Sequence, residues 1–170
     1  MDLNAVSMYF QQYGAAAVFV IVLLEYCNLP GFPAGIIMPL AGVWAAQGNL
    51  GFWTAIGLSV AAGLLGSVIL YGIGRCGGQI FLNAYLKKFP SHRGGIERTL
   101  DTVRQRGSWG VFISKLIPMV RTVISIPAGV LRMPLRSYLL STLAGVFVWN
   151  FVFVGAGYIG GEAILHYFAG

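Results

Sequence analysis

Three ionisable residues interrupt sequence that is otherwise apolar: Glu25, Lys115 and Arg121. At the centre of a bilayer each would cost about 2.5–3.5 kcal/mol on insertion scales, so such groups turn inward and find partners. Their types divide the chemistry among them. Arg121 offers a planar fork of donors suited to gripping phosphate through two hydrogen bonds. Lys115 adds a second, point-like positive charge. Glu25 is suited either to hold an amine head group or to take up and release a proton. A plain structural pair between Glu25 and one of the cations is the simpler alternative. It is the weaker one, because apolar side chains usually serve structure as well as a buried pair does. Together the three read as a receptor for a phosphate-bearing group within the membrane. Asn150 lies mid-way along an apolar segment and is expected to point inward. Its neighbour Trp149 either joins that polar site or simply packs.

Other chemistry is missing. There is no Ser-His-Asp set, no close carboxylate pair and no cluster spaced to hold a metal, so the sequence points away from an enzyme and from any cofactor. Cys27 and Cys76 read as packing thiols, and His92 and His166 as solvated or interfacial. Gly72, Gly74, Gly77 and Gly78 surround Arg75, but no strand precedes them and no Gly-Lys-Ser/Thr follows, so they do not make a phosphate loop. They are expected to mark a helix end at the cytoplasmic face.

The elements that position these residues follow from composition. Hydrophobic residues make up 57% of the chain and charged residues 9%, against about 25% charged in an ordinary soluble domain. That balance excludes a soluble enzyme. An all-α integral membrane protein is expected, assembled as one domain of successive parts. Residues 1–13 carry apolar residues at helical spacing and suit an interfacial helix. Residues 52–74 and 137–160 are long enough to cross a bilayer as plain helices. Residues 14–50 and 107–131 are abnormal, because Glu25, Pro30, Pro33 and Pro39 break the first while Lys115, Pro118, Arg121 and Pro127 break the second. Broken helix cannot face lipid. Both are therefore read as re-entrant hairpins that turn near their prolines and charges.

The two halves also resemble each other. Gly14, Val18, Phe19 and Val20 match Gly107, Val111, Phe112 and Ile113, and Ala41-Gly42-Val43 matches Ala128-Gly129-Val130. Residues 75–106 form a basic amphipathic linker that holds Arg75, Lys87, Lys88, Arg93, Arg98, Arg104 and Arg106. The positive-inside rule makes this linker cytoplasmic. Arg132 and Arg136 return to the same side only if 107–131 is a hairpin. The repeat is then inverted, an arrangement that marks transporters whose broken helices meet at mid-depth. Nucleic acid is not an expected partner of the net charge of +6, since basic cytoplasmic loops are general in membrane proteins.

Four sets of residues resemble the DedA family, also called the SNARE-associated Golgi protein or VTT-domain family. They are Glu25 with Pro30-Gly31-Phe32-Pro33; Gly63-Leu64-Leu65-Gly66 with Tyr71-Gly72-Ile73-Gly74-Arg75; Phe112 to Arg121 with Pro127-Ala128-Gly129; and Trp149-Asn150. The resemblance implies two opposed re-entrant hairpins and a multi-pass protein of the bacterial cytoplasmic (inner) membrane. The implied role is a lipid flippase or scramblase, carrying phosphatidylethanolamine-type phospholipid or undecaprenyl phosphate between leaflets. Glu25 and Arg121 match family functional positions. Lys115, Pro30, Pro33, Pro118, Trp149, Asn150, Tyr71 and Arg75 complete the expected translocation site. The chain departs from the family pattern at Lys115 (usually Arg), Gly35 (commonly acidic) and Ser67 (commonly acidic), which weakens proton coupling. Phosphatidylethanolamine stands slightly ahead, because Glu25 would hold its amine. Membrane lipids are the expected partners, and a homodimer stays open. The alternative is a proton- or cation-coupled small-solute transporter that uses Glu25.

Overall fold

The computed structural model describes residues 3–27, 37–46, 50–88, 90, 93–118 and 120–169. Every regular element among them is a helix: α1 (Leu3–Tyr26), α2 (Ile37–Ala46), α3 (Phe52–Lys88), α4 (Arg93–Lys115), α5 (Val120–Val123), α6 (Ser125–Val130) and α7 (Leu135–Ala169). Pro30 and Pro33 lie outside the described residues.

Three of these helices bend at glycine. Gly14 in α1, Gly78 in α3 and Gly107 in α4 adopt φ of 32°, 50° and 52°, a region that glycine enters without the clash other residues meet. The bends at Gly14 and Gly107 fall where each broken apolar stretch begins. The helix end expected around Gly72–Gly78 falls at Gly78, where the long apolar helix meets, across a kink, the helix that runs on to Lys88.

Helix α4 stops at Lys115 for a local reason. Pro118 has no N–H and its ring would clash with the preceding turn, so the chain tightens. Leu116 N–H donates to Ile113 O (3.0 Å) and Ile117 N–H to Ser114 O (3.2 Å) before helix resumes. Pro39 and Pro127 are tolerated because each is the third residue of its helix, where N–H groups have no intrahelical acceptor anyway.

Packing crosses between the parts. Helix α1 lies on α3 and α4 on α7, whereas α2 lies on α7 and α6 on α3. Glycines permit the last two contacts. A Cβ on Gly42 would strike the Val154 carbonyl, and one on Gly157 the Pro39 carbonyl. In the other contact a Cβ on Gly129 would strike the Tyr71 carbonyl, and one on Gly74 the Ile126 carbonyl. Without a strong hydrophobic force between helices in lipid, this close backbone approach supplies the packing.

Two stretches, Phe52–Gly78 and Leu135–Gly161, are long and apolar enough to cross a membrane, each 27 residues with mean hydropathy of 2.0 and 1.9. Leu140, Phe147, Phe151, Val152 and Ile159 form an exposed apolar face on α7. An apolar surface of that extent suits a lipid environment.

Candidate functional site

The three charges, 90 residues apart along the chain between Glu25 and Lys115, meet in one place. Glu25, Lys115 and Arg121 are 3%, 1% and 0% exposed. Arg121 Nη2 is ion-paired with Glu25 Oε1. The guanidinium lies between two aromatic rings, 4.6 Å from the Tyr26 centroid and 4.9 Å from that of Trp149. Both are within cation–π range.

A hydrogen-bond relay leads away from the pair. Arg121 Nη1 donates to the Tyr26 hydroxyl (3.0 Å), which donates to Asn150 Oδ1 (3.2 Å). Asn150 Nδ2 then donates to Ser59 Oγ (3.1 Å), and Ser59 Oγ to the Ile56 carbonyl (2.9 Å). Lys115 has its own set of acceptors. Its ammonium donates to Ser67 Oγ (2.9 Å), Ser125 Oγ (3.0 Å) and the Arg121 carbonyl (2.7 Å). These are three acceptors for its three protons, and one of them is a carbonyl in the short helix α5. The ammonium thus ties α4, α3, α5 and α6 together.

Glycines make room for these side chains. A Cβ on Gly63 would come within 2.9 Å of the Tyr26 ring, one on Gly66 within 2.8 Å of Tyr26 Cβ, and one on Gly145 within 2.5 Å of Lys115 Cβ. The cluster faces the middle of both long apolar stretches. Ser67 and Asn150 each lie two residues beyond the midpoints, Leu65 and Val148, of Phe52–Gly78 and Leu135–Gly161.

Of the residues expected to act, Glu25, Lys115, Arg121, Trp149 and Asn150 therefore converge. Tyr71 and Arg75 belong to a second polar node. There Arg75 Nη1 donates to the Tyr71 hydroxyl (2.7 Å), which donates to the Met133 carbonyl (2.5 Å). Tyr71 stacks on Tyr138 at 4.5 Å, and the Tyr138 hydroxyl donates to the Ser67 carbonyl (2.9 Å), linking the nodes. Pro118 is exposed at the turn. Trp149 joins by packing: its Nε1 has no hydrogen-bond partner among the described residues, nor has Glu25 Oε2. A groove of about 370 Å³ between Trp109, Phe112, Leu140 and Ala144 opens on the outer surface and touches none of the charges.

Sequence reasoning missed Tyr26, Ser59, Ser125 and Tyr138. Tyr26 follows Glu25 directly, and that adjacency was the available signal. For the serines there was none, since a hydroxyl in an apolar helix usually bonds its own backbone. Tyr26→Phe is expected to cost about 1–3 kcal/mol, because it leaves a buried donor on Arg121 and a buried acceptor on Asn150 without their shared partner. Thermal unfolding in detergent measures this.

Residues 32–159 match the VTT domain. The chain belongs to the VTT-domain (DedA) family. Among its curated relatives, undecaprenyl phosphate transporter A of Staphylococcus aureus is 32% identical over 150 residues, covering 86% of this chain and 73% of that protein. The protein of the same name in Bacillus subtilis is 34% identical over 125 residues, covering 74% of this chain. The chain spans only 63% of the length of that relative. A Lactococcus lactis relative, 32% identical over 158 residues and covering 86% of this chain and 70% of its own length, carries the name alkaline phosphatase-like protein. No solved structure matches significantly. Family membership and the apolar helices make this a membrane protein.

Proposed function

We propose that this chain moves a phosphate-bearing lipid between the leaflets of a bacterial cytoplasmic membrane, with Arg121 and Lys115 receiving the phosphate. The observation that carries the reading is the fully buried Glu25–Arg121 pair beside Lys115, opposite the midpoints of two apolar stretches. Here one oxygen of the Glu25 carboxylate is paired with Nη2 of the guanidinium fork, where a phosphate oxygen would sit. An incoming phosphate takes over that fork as Glu25 leaves it, so Arg121 stays paired throughout. Stripping a buried charge of its partner would cost about 3–5 kcal/mol; direct exchange avoids most of this. Lys115 turns from neutral serine hydroxyls to the anion, and the acyl or prenyl chains remain in lipid.

The pairing also bears on the substrate. A carboxylate committed to Arg121 is poorly available to an ethanolamine amine. Two relatives are named for undecaprenyl phosphate. Undecaprenyl phosphate is therefore the preferred cargo, ahead of phosphatidylethanolamine.

Two opposed re-entrant hairpins supply the moving parts. This reading is supported by the crossed packing of α2 on α7 and α6 on α3. Further support comes from the matching glycines at these two contacts, Gly42 and Gly157 at one and Gly129 and Gly74 at the other. The two apolar stretches of equal length agree with it, and so do the bends at Gly14 and Gly107.

The test is leaflet exchange in phosphatidylcholine vesicles holding the purified chain, with fluorescent undecaprenyl phosphate, fluorescent phosphatidylethanolamine and a phosphate-free diacylglycerol probe. The phosphate-bearing probes are expected to exchange about tenfold or more faster than in empty vesicles, which is only about 1.4 kcal/mol off the barrier. Exchange at the empty-vesicle rate for every probe refutes the reading. Proton flux without lipid exchange favours the solute transporter that uses Glu25.

A further inference from the structure

A second basic site stands at one end of the helices, and its residues are held in place by the backbone. Helix α6 ends in a Schellman motif, in which Met133 N–H donates to Ala128 O (3.1 Å) and Arg132 N–H to Gly129 O (2.9 Å). The residue between the helix end and Met133 must take a left-handed conformation, and glycine usually fills it. Here it is Arg132, with φ of 53°, the one non-glycine residue at positive φ among those described. A strained backbone that keeps a charged side chain at a surface is a pointer to function.

Arg75 stands beside it. Its backbone N lies 2.8 Å from where a Cβ of Gly129 would be, and Gly129 is the acceptor of the Arg132 N–H. Through the Tyr71 hydroxyl the Arg75 guanidinium is hydrogen-bonded onward to Met133 O, the residue after Arg132. Both arginines are exposed, and neither has an acidic partner among the described residues. The backbones of two exposed arginines thus flank one glycine, and the guanidinium of Arg75 is steadied by a tyrosine. Paired planar donors of this kind suit a phosphate oxyanion.

We propose that Arg75 and Arg132 form a surface site for a phosphate monoester, separate from the buried charges. On the transport reading above, on which its role rests, this site collects the lipid phosphate at the membrane face before it passes inward. Tyr71 and Ser67 of α3, bridged by Tyr138 of α7, connect the two sites. The site is also open to free phosphate, and the test separates the two sources.

The experiment is calorimetric titration of the purified full chain in detergent with farnesyl phosphate and, separately, with inorganic phosphate. Wild type, Arg132→Gly and Arg75→Gln are compared, with thermal unfolding run on each. Farnesyl phosphate is expected to bind wild type and to bind each variant about tenfold or more weakly. Arg132→Gly is expected to unfold about 2 °C higher, since glycine relieves the left-handed position. Resistance of bound farnesyl phosphate to equimolar inorganic phosphate assigns the site to lipid; displacement keeps the site and assigns it to the free anion. Equal affinity in all three proteins overturns the proposal, as does a fall in the unfolding temperature of Arg132→Gly. Binding is read without transport, so a chain that binds in this way but exchanges no lipid defeats the transport reading alone.

Discussion

Arg121→Ala is expected to lower stability by about 3–5 kcal/mol, the range for removing one partner from a buried ion pair. The carboxylate of Glu25, 3% exposed, would be left without its cation. The Tyr26 hydroxyl would lose the donor that aligns it toward Asn150, and the Tyr26 and Trp149 rings would face a void where the guanidinium lay. Glu25→Gln with Arg121→Gln should recover part of the loss, because the double variant buries no lone charge. Unfolding midpoints of the two single variants and the double variant yield the coupling directly. A double variant as unstable as the sum of the singles would mean that the pair contributes nothing to holding the fold.

Gly129→Leu is expected to be as disruptive, and Gly42→Leu equally so, because in each the added carbon meets backbone. A Cβ on Gly129 strikes the Tyr71 carbonyl and approaches Arg75 N at 2.8 Å, and one on Gly42 strikes the Val154 carbonyl and approaches Tyr158 N at 2.7 Å. Helix backbone cannot swing aside as a side chain does, so α6 would separate from α3, and α2 from α7. Overpacking ordinarily costs about 1–3 kcal/mol, and a whole isobutyl group against main chain belongs at or above the upper end. Gly155→Ala is the control: a Cβ there meets nothing within 4 Å, so helix propensity should raise stability by about 0.5–1 kcal/mol. Detergent unfolding of the three variants checks both directions. If the Gly129 and Gly42 variants matched wild type, these contacts would not be holding the helices together.

The two long apolar helices were legible in the sequence because insertion into lipid depends on sums over many residues. Helix α3 starts at Phe52 and bends at Gly78, close to the expected 52–74, and α7 contains the expected 137–160. The meeting of Glu25, Lys115 and Arg121 was legible for a similar reason, since a charge in apolar sequence has few places to go. Less visible was which charge meets which. Lys115 and Arg121 looked interchangeable as partners for Glu25. Only the fold gives the carboxylate to Arg121, and the broken-turn carbonyl and two serines to Lys115. Ser67 had seemed merely a departure from a family pattern that commonly has an acid there, and Lys115 likewise where Arg is usual. They are in fact hydrogen-bonded to each other. A neutral hydroxyl beside a lysine replaces the charged partner that an arginine would call for. The strained Arg132 was invisible, because nothing in the residue type signals a left-handed backbone.

Lys115→Met is the sharpest test of whether this cluster carries lipid phosphate or only holds helices. Methionine fills similar space without a charge, and replacing buried charge with apolar atoms is often neutral or stabilising. The two serines can turn to nearby carbonyls. Stability is therefore expected to stay within about 1 kcal/mol of wild type, while leaflet exchange of fluorescent undecaprenyl phosphate falls about tenfold or more. Exchange at the wild-type rate in a Lys115→Met protein of unchanged stability would contradict a phosphate-receiving role for the buried charges.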